Sequence, residues 1–374
     1  MTSASLIVAD SEKDSNLYYA TGFLAPDPFI YIALNGKKIL IMGDLELDRA
    51  KLQAEVDEVI SSTEILMRLR LKRIAQPKSV DMIEFVLKEL DVKGILVPGN
   101  FPIEYADPLR EKGFSISFKR EPFFEERLIK RPKEIEAICQ TQRATEEAVE
   151  EAVEVISSSK IRGEFLYHHG EILTSRKIKE ILHLSLMRQN CIGQYTIVAC
   201  GTDGVDPHNE GSGPLKAHQS IILDVFPRSM TTRYFADMTR TVVRGKASPK
   251  LKKMYQAVLE GQEIGFKQVR EGADGRSIHQ MILDRFKSLG FETGKIDGRF
   301  QGFFHGTGHG VGLDIHELPR IGSLSNILQA GQVVTIEPGL YYLDAGGVRL
   351  EDMVLVTKEG CENLTRFPKE LEVE

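Results

Sequence analysis

Two aspartates lie in the middle of apolar, strand-like runs, where a charged side chain is costly. Asp224 follows the run SIIL, and Asp237 follows the run YFA. A buried carboxylate without a partner is strongly unfavourable, so each of these aspartates needs a counter-charge in the folded chain. Taken singly, each residue could instead serve a turn or a helix cap, but its apolar neighbours argue against that interpretation.

The spacing of the two aspartates predicts that they face each other. Twelve residues separate Asp224 from Asp237, which is an even number. A two-residue turn centred on Met230 and Thr231 would therefore place the two aspartates directly opposite across a hairpin. Side chains opposed in this way have Cβ atoms about 4.5 to 5.5 Å apart. Two carboxylates that close repel each other unless a proton or a cation lies between them.

Further carboxylates and an imidazole repeat this pattern later in the chain. Glu337 lies in TIEPG, Glu351 in VRLED and His309 in the glycine-rich run HGTGHGVG. Glycines allow the backbone of that run to approach a site closely. Four carboxylates and one histidine form a hard, oxygen-rich ligand set that suits Mn, Co or Fe, with Zn also possible. Four negative charges would balance two divalent ions.

The glycine-rich run could also be taken for a phosphate-binding fingerprint. A GxGxxG fingerprint requires a preceding strand and a following helix. The run is followed instead by LDIHELP, in which Pro319 would interrupt a helix. We therefore reject a nucleotide site at this position.

Composition and charge restrict the partners and the compartment. The net charge of −6 argues against nucleic acid as a main partner, because phosphate binding needs a clustered basic surface. No stretch reaches the roughly 20 apolar residues of a membrane span, and no signal-peptide pattern is found. We expect a cytoplasmic protein with no membrane partner. Scattered cysteines without a CxxC pair are expected to be reduced and to bind no metal, namely Cys139, Cys191, Cys200 and Cys361.

A chain of 374 residues is too long for one hydrophobic core and predicts two domains. We expect an α/β domain over 1–125 and an α+β domain over 126–374. In the first, alternating elements are predicted at strands 29–34 and 37–42, a helix from Ser79 and a strand at 94–97. In the second, a long amphipathic helix over 127–156 precedes the remaining elements. These are strands at 195–200, 220–226, 234–244, 333–337 and 348–357, and helices at 249–271 and 277–289.

The set Asp224, Asp237, His309, Glu337 and Glu351 resembles the metal ligands of the pita-bread metallopeptidases. This family includes prolidase, aminopeptidase P and methionine aminopeptidase. The resemblance extends to the motifs DMTRT, HGxGHGVG, HExP, IEPG and GGVRxED. Near the N-terminus, NLYYATGF is similar to the creatinase-type domain of prolidases, which methionine aminopeptidases lack. The resemblance implies an α/β creatinase-like N-terminal domain and an α+β pita-bread catalytic domain.

The resemblance also implies a role for each ligand. Asp224, His309 and Glu337 would be terminal ligands, and Asp237 and Glu351 would bridge two divalent ions, with Mn or Co preferred over Fe or Zn. Such a pair of ions can lower the pKa of a bridging water to form hydroxide and can polarise the scissile carbonyl. Glu337 would shuttle the proton.

Substrate contacts are implied for four more residues. His208 and His316 match the family's histidines that stabilise the developing charge, and His305 would contribute to substrate binding. Arg320 matches an arginine that binds the substrate's free carboxylate, a task suited to a bidentate guanidinium. Arg349 is expected to orient a ligand carboxylate rather than to touch the substrate.

The connection between the aspartates departs from the family. It is two residues longer than the ten that are common in prolidases, which preserves the facing geometry. It would bring Pro227 and Arg228 near the mouth of the site.

Together these features predict a homodimeric Xaa-Pro dipeptidase that acts on proline-containing dipeptides or short peptides. The alternative within the enzymes is a Xaa-Pro aminopeptidase that acts on longer peptides. Two further alternatives, a peptide-binding module without metals and a metal-free amidinohydrolase, are disfavoured because all five ligand positions are filled.

Overall fold

The computed structural model describes residues 3–374. These residues form two compact units that divide between Arg127 and Leu128. Each unit has its own apolar core. Within residues 3–374, no helix combines the length and the apolar character that a bilayer crossing requires.

The first unit is a mixed sheet with alternating helices. Its strands are β1 Ser3–Ala9, β2 Phe29–Leu34, β3 Lys37–Met42, β4 Glu58–Ser61, β5 Gly94–Pro98 and β6 Ser115–Lys119. Its helices are α1 Ser15–Thr21, α2 Asp44–Gln53, α3 Ser62–Leu71, α4 Ser79–Glu89 and α5 Ile103–Glu111. The strand order is β4-β3-β2-β1-β5-β6, with β1, β5 and β6 parallel. This arrangement confirms the predicted α/β class.

The β2–β3 hairpin forms where the sequence predicts it. Asn35 and Gly36 both have positive φ, 50° and 84°, as a two-residue primed turn requires. Leu34 pairs with Lys37 directly beside the turn. Apolar clusters cover both faces of the sheet, since Leu6 packs in one cluster and its neighbour Ile7 in the other. Burial on both faces explains why these strands are continuously apolar rather than alternating.

The second unit contains four long helices among its described residues. They are α6 Pro132–Ser158, α7 Ser175–Arg188, α8 Pro249–Gln268 and α9 Gly275–Ser288. The predictions of α6, α8 and α9 are confirmed. Helix α7 has no counterpart in the expected pattern, although Ile178, Leu182 and Leu186 are buried at helical spacing and Thr174 caps its first turn.

Short strands make up the rest of the second unit. They are β7 Lys160–Arg162, β8 Phe165–His168, β9 Glu171–Ile172, β10 Cys191–Ile192, β11 Ile197–Cys200, β12 Ile221–Val225, β13 Arg228–Ser229, β14 Met238–Arg244, β15 Gly294–Ile296, β16 Arg299–Gln301, β17 Gly308–Gly310, β18 Glu317–Ile321, β19 Val333–Ile336, β20 Gly339–Tyr342, β21 Gly346–Arg349, β22 Asp352–Val356, β23 Cys361–Asn363 and β24 Glu372–Val373.

Two of the sheets in this unit carry or adjoin the candidate metal ligands. One has the order β11-β12-β14-β24, and the other has the order β18-β17-β19-β22-β23. An isolated antiparallel bridge between Thr239 and Glu351 joins them. Residues of α6 and α7 share a core with the first sheet, and residues of α8 and α9 share a core with the second. Helices packed on largely antiparallel sheets confirm the predicted α+β class.

Gly308 marks the closest backbone approach in the second sheet. It lies in the interior strand β17, between β18 and β19. A Cβ atom at this position would lie 1.9 Å from the carbonyl oxygen of Thr335. Only glycine therefore allows β17 and β19 to approach this closely, and β17 also carries His309.

We predict that Gly308→Ala destabilises the protein by about 3 kcal/mol or more, because the new methyl group would force two backbone segments apart. The matched control is Gly360→Ala, since a Cβ at Gly360 would meet nothing within 4 Å. The control should change the free energy of unfolding by less than about 0.5 kcal/mol. Denaturant unfolding of the two variants measures the difference. Equal midpoints would show that the close approach of β17 and β19 does not require glycine at position 308.

Candidate metal centre

The two aspartates of the apolar runs lie on one face, but they do not pair directly. Strand β12 pairs with β14 so that Asp224 lies opposite Thr239, and Asp237 precedes the first residue of β14. The predicted direct opposition is therefore wrong by two residues. The even spacing still holds both carboxylates on the same face, because side chains alternate with a period of two.

The shifted register follows from the connection between the two strands. This segment is not a two-residue turn, because Arg228 pairs with Ile192 in a separate two-stranded sheet and forms a bridge with Phe235. Phe226 lines the cavity described below, whereas Pro227 and Arg228 do not. Neither Pro227 nor Arg228 therefore lines the site itself, and their expected place near its mouth stays a prediction. The guanidinium of Arg228 lies instead over the Phe235 ring, 5.7 Å from its centroid.

The other three expected ligands lie at or beside strands of the second sheet. His309 is in β17, Glu337 directly follows β19, and Glu351 lies between β21 and β22. Single donor atoms from Asp237, His309 and Glu351 all lie within 4.8 Å of one another. His309 Nε2 lies 3.3 Å from Glu337 Oε1 and 3.5 Å from Asp237 Oδ2. The fold thus brings together residues that are distant in the chain.

The arrangement fits bound cations, because several buried carboxylate oxygens have no protein partner. These atoms are Asp224 Oδ1, Asp237 Oδ1 and Glu351 Oε1, each shielded from solvent and without a hydrogen-bond donor among the described residues. Buried polar atoms in native proteins nearly always have a partner. Buried carboxylate oxygens that lack donors and line one cavity are therefore suited to hold divalent ions.

Crowding and burial shift the acid–base behaviour of these carboxyls. Burial raises the pKa of Asp237 well above its ordinary value, and the neighbouring Glu351 and Asp224 raise it further. Burial likewise raises the pKa of Glu351, with added repulsion from Glu337 and Asp224. The pKa of Glu337 rises to about 7, again chiefly through burial. Without a cation, the cluster can reduce its repulsion only by binding protons.

His309 is oriented so that one ring nitrogen faces the carboxylates. Its Nδ1 lies 3.2 Å from the carbonyl oxygen of Gly310, which can only accept a hydrogen bond. Nδ1 therefore carries the proton, and Nε2 presents its lone pair to Asp237 and Glu337. Burial lowers the pKa of His309 to about 3, with a further contribution from His316. A neutral imidazole held by a backbone carbonyl is the form that binds metals.

Several side chains hold the carboxylates from outside the expected ligand set. Arg349 Nη2 donates to Asp224 Oδ2 at 2.5 Å, and this ion pair is buried. Thr239 Oγ1 donates to Glu351 Oε2 at 2.7 Å, and Thr335 Oγ1 lies 3.4 Å from Glu337 Oε1. Sequence reasoning missed both threonines, although each lies two residues from a carboxylate in its own motif. Period-two alternation is the signal that could have found them.

All the expected site residues line one cavity of about 1300 Å³. Asp224, Asp237, His309 and Glu351 are buried in its wall, and Glu337 is nearly so. The remaining expected residues also line it, namely His208, His305, His316 and Arg320. His316 packs edge-on against His309, with ring centroids 4.4 Å apart. The cavity therefore combines a buried acidic cage with exposed cationic and hydrogen-bonding groups.

Arg320 is a free cation next to the cage. It lies directly opposite His309 in the pairing of β17 with β18, so the two side chains share a face. Its side chain is exposed, and it makes no ion pair with a carboxylate anywhere in residues 3–374. An arginine without a carboxylate partner in a cavity wall can bind a carboxylate from a ligand.

His305 is held by two hydrogen bonds within the cavity wall. Its Nδ1 donates to the Gly306 carbonyl at 2.8 Å, so its Nε2 accepts from the Tyr341 hydroxyl at 2.9 Å. Arg349 Nη1 in turn donates to the Tyr341 oxygen at 2.9 Å. Burial lowers the pKa of His305 to about 3, which keeps the ring neutral. Its expected part in substrate binding stays a prediction.

One buried histidine was not expected in the cavity wall. His279 has no motif that suggests a site, yet it lines the same cavity and its Nδ1 lies 2.9 Å from Thr307 Oγ1. No sequence signal for this position is evident, because the contact between His279 and Thr307 depends on how α9 packs against the second sheet, where it contacts β18.

Comparison with protein families gives a match over most of the second unit. Residues 136–358 match the profile of metallopeptidase family M24. A Xaa-Pro dipeptidase of Pyrococcus furiosus is 28% identical over 364 residues, which cover 96% of this chain and 93% of the relative. The resemblance to the pita-bread metallopeptidases is thereby confirmed.

Solved structures of related proteins have the same fold as this chain. The prolidase of Pyrococcus horikoshii superposes with a TM-score of 0.80 at 25% identity, covering 99% of this chain and 95% of that one. An X-Pro aminopeptidase of Thermotoga maritima superposes with a TM-score of 0.81 at 24% identity, covering 100% and 98%. Both likenesses extend over the two units.

We predict that Glu337→Gln stabilises the chelated protein at pH 8 by about 3 kcal/mol but leaves it almost unchanged at pH 4. The folded-state pKa of about 7 exceeds the ordinary value of 4.5. The folded protein therefore holds the proton of Glu337 more tightly than the unfolded chain does. The stability of the wild type falls as the pH rises from 4.5 to about 7. Denaturant unfolding in chelator at both pH values measures the effect.

With added Mn²⁺ at pH 8, the wild type should be more stable than Glu337→Gln, because an amide is a poorer ligand than a carboxylate. Equal stability of the two chelated proteins at pH 8 would show that the folded structure does not raise the pKa of Glu337.

Proposed function

The chain belongs to metallopeptidase family M24, and we propose that it is a Xaa-Pro dipeptidase. It would hydrolyse the bond that precedes proline in dipeptides. The observation that carries the proposal is the free guanidinium of Arg320 in the same cavity wall as the acidic cage. The name of the Pyrococcus furiosus relative, a Xaa-Pro dipeptidase, supports the same substrate class.

The cage would hold two divalent ions through Asp224, Asp237, His309, Glu337 and Glu351. The donor-free oxygens of Asp224, Asp237 and Glu351 support this assignment. Hard oxygen donors with one imidazole favour Mn or Co, while Fe or Zn would also be accepted. When bound, such ions supply Lewis acidity that makes water nucleophilic near neutral pH and polarises a carbonyl.

The side chains around the cage would manage protons and charge. Glu337 would accept a proton from the attacking water on its carboxylate and pass it to the leaving nitrogen of proline. His208 and His316 would donate hydrogen bonds to the carbonyl oxygen as negative charge develops there. Arg349 would keep Asp224 ionised and oriented, since it donates to that carboxylate at 2.5 Å.

Arg320 would select dipeptides by binding their C-terminal carboxylate. A planar guanidinium can bind a carboxylate with two parallel hydrogen bonds, which adds geometric selectivity to the charge attraction. In a longer peptide the corresponding carboxylate is an amide without charge. The free carboxylate of a dipeptide therefore gains an interaction that a longer substrate lacks at this position.

A Xaa-Pro aminopeptidase is the second candidate. The cavity of about 1300 Å³ exceeds the range of about 300 to 1000 Å³ that is common for small-ligand sites. The extra space would accommodate residues beyond proline. Substrate length therefore decides between the two candidates.

We predict that chelation abolishes peptidase activity and that Mn²⁺ or Co²⁺ restores it, because no side chain in the cage can replace the ions' Lewis acidity. Calorimetric titration of the chelated protein should find two ions per chain. Asp237→Asn, which removes one of the carboxylates that would hold the ions, should lower both the stoichiometry and the restored activity. Full activity in excess chelator would contradict the proposal.

We predict that Arg320→Ala lowers kcat/KM for a Xaa-Pro dipeptide by about 10- to 100-fold, chiefly through KM, since a hydrogen-bonded charge contributes about 1.5 to 3 kcal/mol. A Xaa-Pro-Xaa tripeptide should be a poorer substrate for the wild type and should be unaffected by the substitution. Steady-state kinetics on both substrates measures the effect.

Two controls make this comparison specific. The wild type should treat a C-terminally amidated dipeptide as poorly as Arg320→Ala treats the free dipeptide. Arg176→Ala should change neither substrate, because that side chain is 89% exposed and does not line the cavity. If the tripeptide is preferred and Arg320→Ala changes nothing, the aminopeptidase candidate replaces the dipeptidase.

A further inference from the structure

The buried cation Arg240 lies three residues after Asp237 and outside the cavity wall. Its side chain is only 2% exposed, and it forms an ion pair with Asp352, whose side chain is 1% exposed. Neither residue lines the cavity. The pair therefore cannot contact a substrate, and its presence calls for another explanation.

The guanidinium of Arg240 uses all five of its donor hydrogens. Nη1 donates to the carbonyl oxygens of Thr239 at 2.9 Å and Glu351 at 2.8 Å. Nη2 donates to Asp352 Oδ1 at 2.8 Å and to the Phe367 carbonyl at 2.7 Å. Nε donates to the Pro368 carbonyl at 2.9 Å. An arginine has five donors and no acceptor, so this side chain is fully satisfied.

Two of these bonds reach the backbone that carries the cage. Thr239 and Glu351 form the bridge between the two sheets, and the Glu351 amide donates to the Thr239 carbonyl at 3.1 Å. The Thr239 hydroxyl holds one carboxylate oxygen of Glu351, while the other oxygen has no donor. Arg240 therefore fixes the peptide from which Glu351 projects into the cage.

Two of the remaining bonds tie Arg240 to residues near the C-terminal end of the sequence. We name residues 364–371 the C-terminal strap. Besides the carbonyls of Phe367 and Pro368, the strap supplies Lys369, whose Nζ lies 2.6 Å from Asp352 Oδ2. The strap is anchored at both ends, since Arg143 donates to the Leu364 carbonyl and the Val243 amide donates to the Leu371 carbonyl.

We propose that the C-terminal strap, acting through Arg240 and Asp352, positions Glu351 for metal binding and so contributes to the affinity of the cage. This inference rests on the proposed metal-dependent function. Burying an ion pair gives little net stability compared with a well-packed apolar pair, so stability alone does not explain the arrangement. Groups that orient a ligand from behind commonly change metal affinity.

The test is calorimetric titration of Mn²⁺ into chelated protein for Arg240→Lys and Asp352→Asn, at a temperature where both are folded by circular dichroism. We expect the Mn²⁺ affinity to fall by about 10- to 100-fold. Lysine keeps the charge of Arg240 but has three donors instead of five. At saturating Mn²⁺, KM for a dipeptide should stay within about twofold of the wild type, as expected for a positioning residue that does not contact substrate.

Two strap variants provide matched controls. Lys369→Met removes the ion pair with Asp352 Oδ2 and a cation–π contact with Phe266, but leaves the Arg240–Asp352 pair in place. It should weaken Mn²⁺ binding less than Asp352→Asn does. Arg366→Ala changes an exposed side chain in the same segment, which makes no ion pair among the described residues, and should leave Mn²⁺ affinity unchanged.

Hydrogen exchange of the wild-type protein tests the same coupling without any substitution. Because coupling between sites is reciprocal, Mn²⁺ should slow amide exchange in residues 364–371 relative to the chelated protein. Exchange in residues 160–172, which carry no cage residue and belong to a different sheet, should not change.

Folded variants that bind Mn²⁺ within twofold of the wild type would overturn the proposal and leave the pair with a purely structural role. If neither variant folds, unchanged exchange in the strap on adding Mn²⁺ would overturn it as well. A wild-type protein that binds no Mn²⁺ or Co²⁺ would instead refute the proposed function, so the two failures can be distinguished.

Discussion

Repulsion among four carboxylates that are held together in the protein interior is the constraint on which the second unit depends. Burial raises the pKa of Asp237, Glu337 and Glu351. The negative charge of Asp224 raises the pKa of each of them further. Charges this close cannot remain ionised without a proton or a cation between them. The folded chain must therefore supply rigid surroundings that oppose the separation of these groups.

Those surroundings are arranged as successive layers of donors. Thr239 and Arg349 contact the carboxylates directly and leave selected oxygen atoms without a partner. Arg240 then holds the backbone behind Glu351, and its charge is balanced by Asp352. Arg240 uses all five of its donor hydrogens, and Arg349 makes four hydrogen bonds. A buried polar network of this kind specifies one geometry, because an incompletely satisfied alternative would leave charged atoms unpaired.

Local patterns predicted the elements and the residue types better than the pairings. The Asn35–Gly36 hairpin and helix α6 formed as expected, since a turn and an amphipathic stripe depend on neighbouring residues. Parity put Asp224 and Asp237 on one face, but the true partner of Asp224 is Thr239. Register depends on the connection, and there β13 pairs with β10 instead of closing a tight turn.

The sequence by itself determined the chemistry of the site, because charged residues inside apolar runs are costly and therefore identify groups that need partners. Asp224, Asp237, His309, Glu337 and Glu351 are recognisable on that ground and from their motifs. Only the tertiary structure decided which donors meet them. The contacts Thr239–Glu351, Arg349–Asp224 and Arg240–Phe367 join residues 112, 125 and 127 positions apart. Contacts between such distant segments follow from how the sheets pack, which no local pattern of residues encodes.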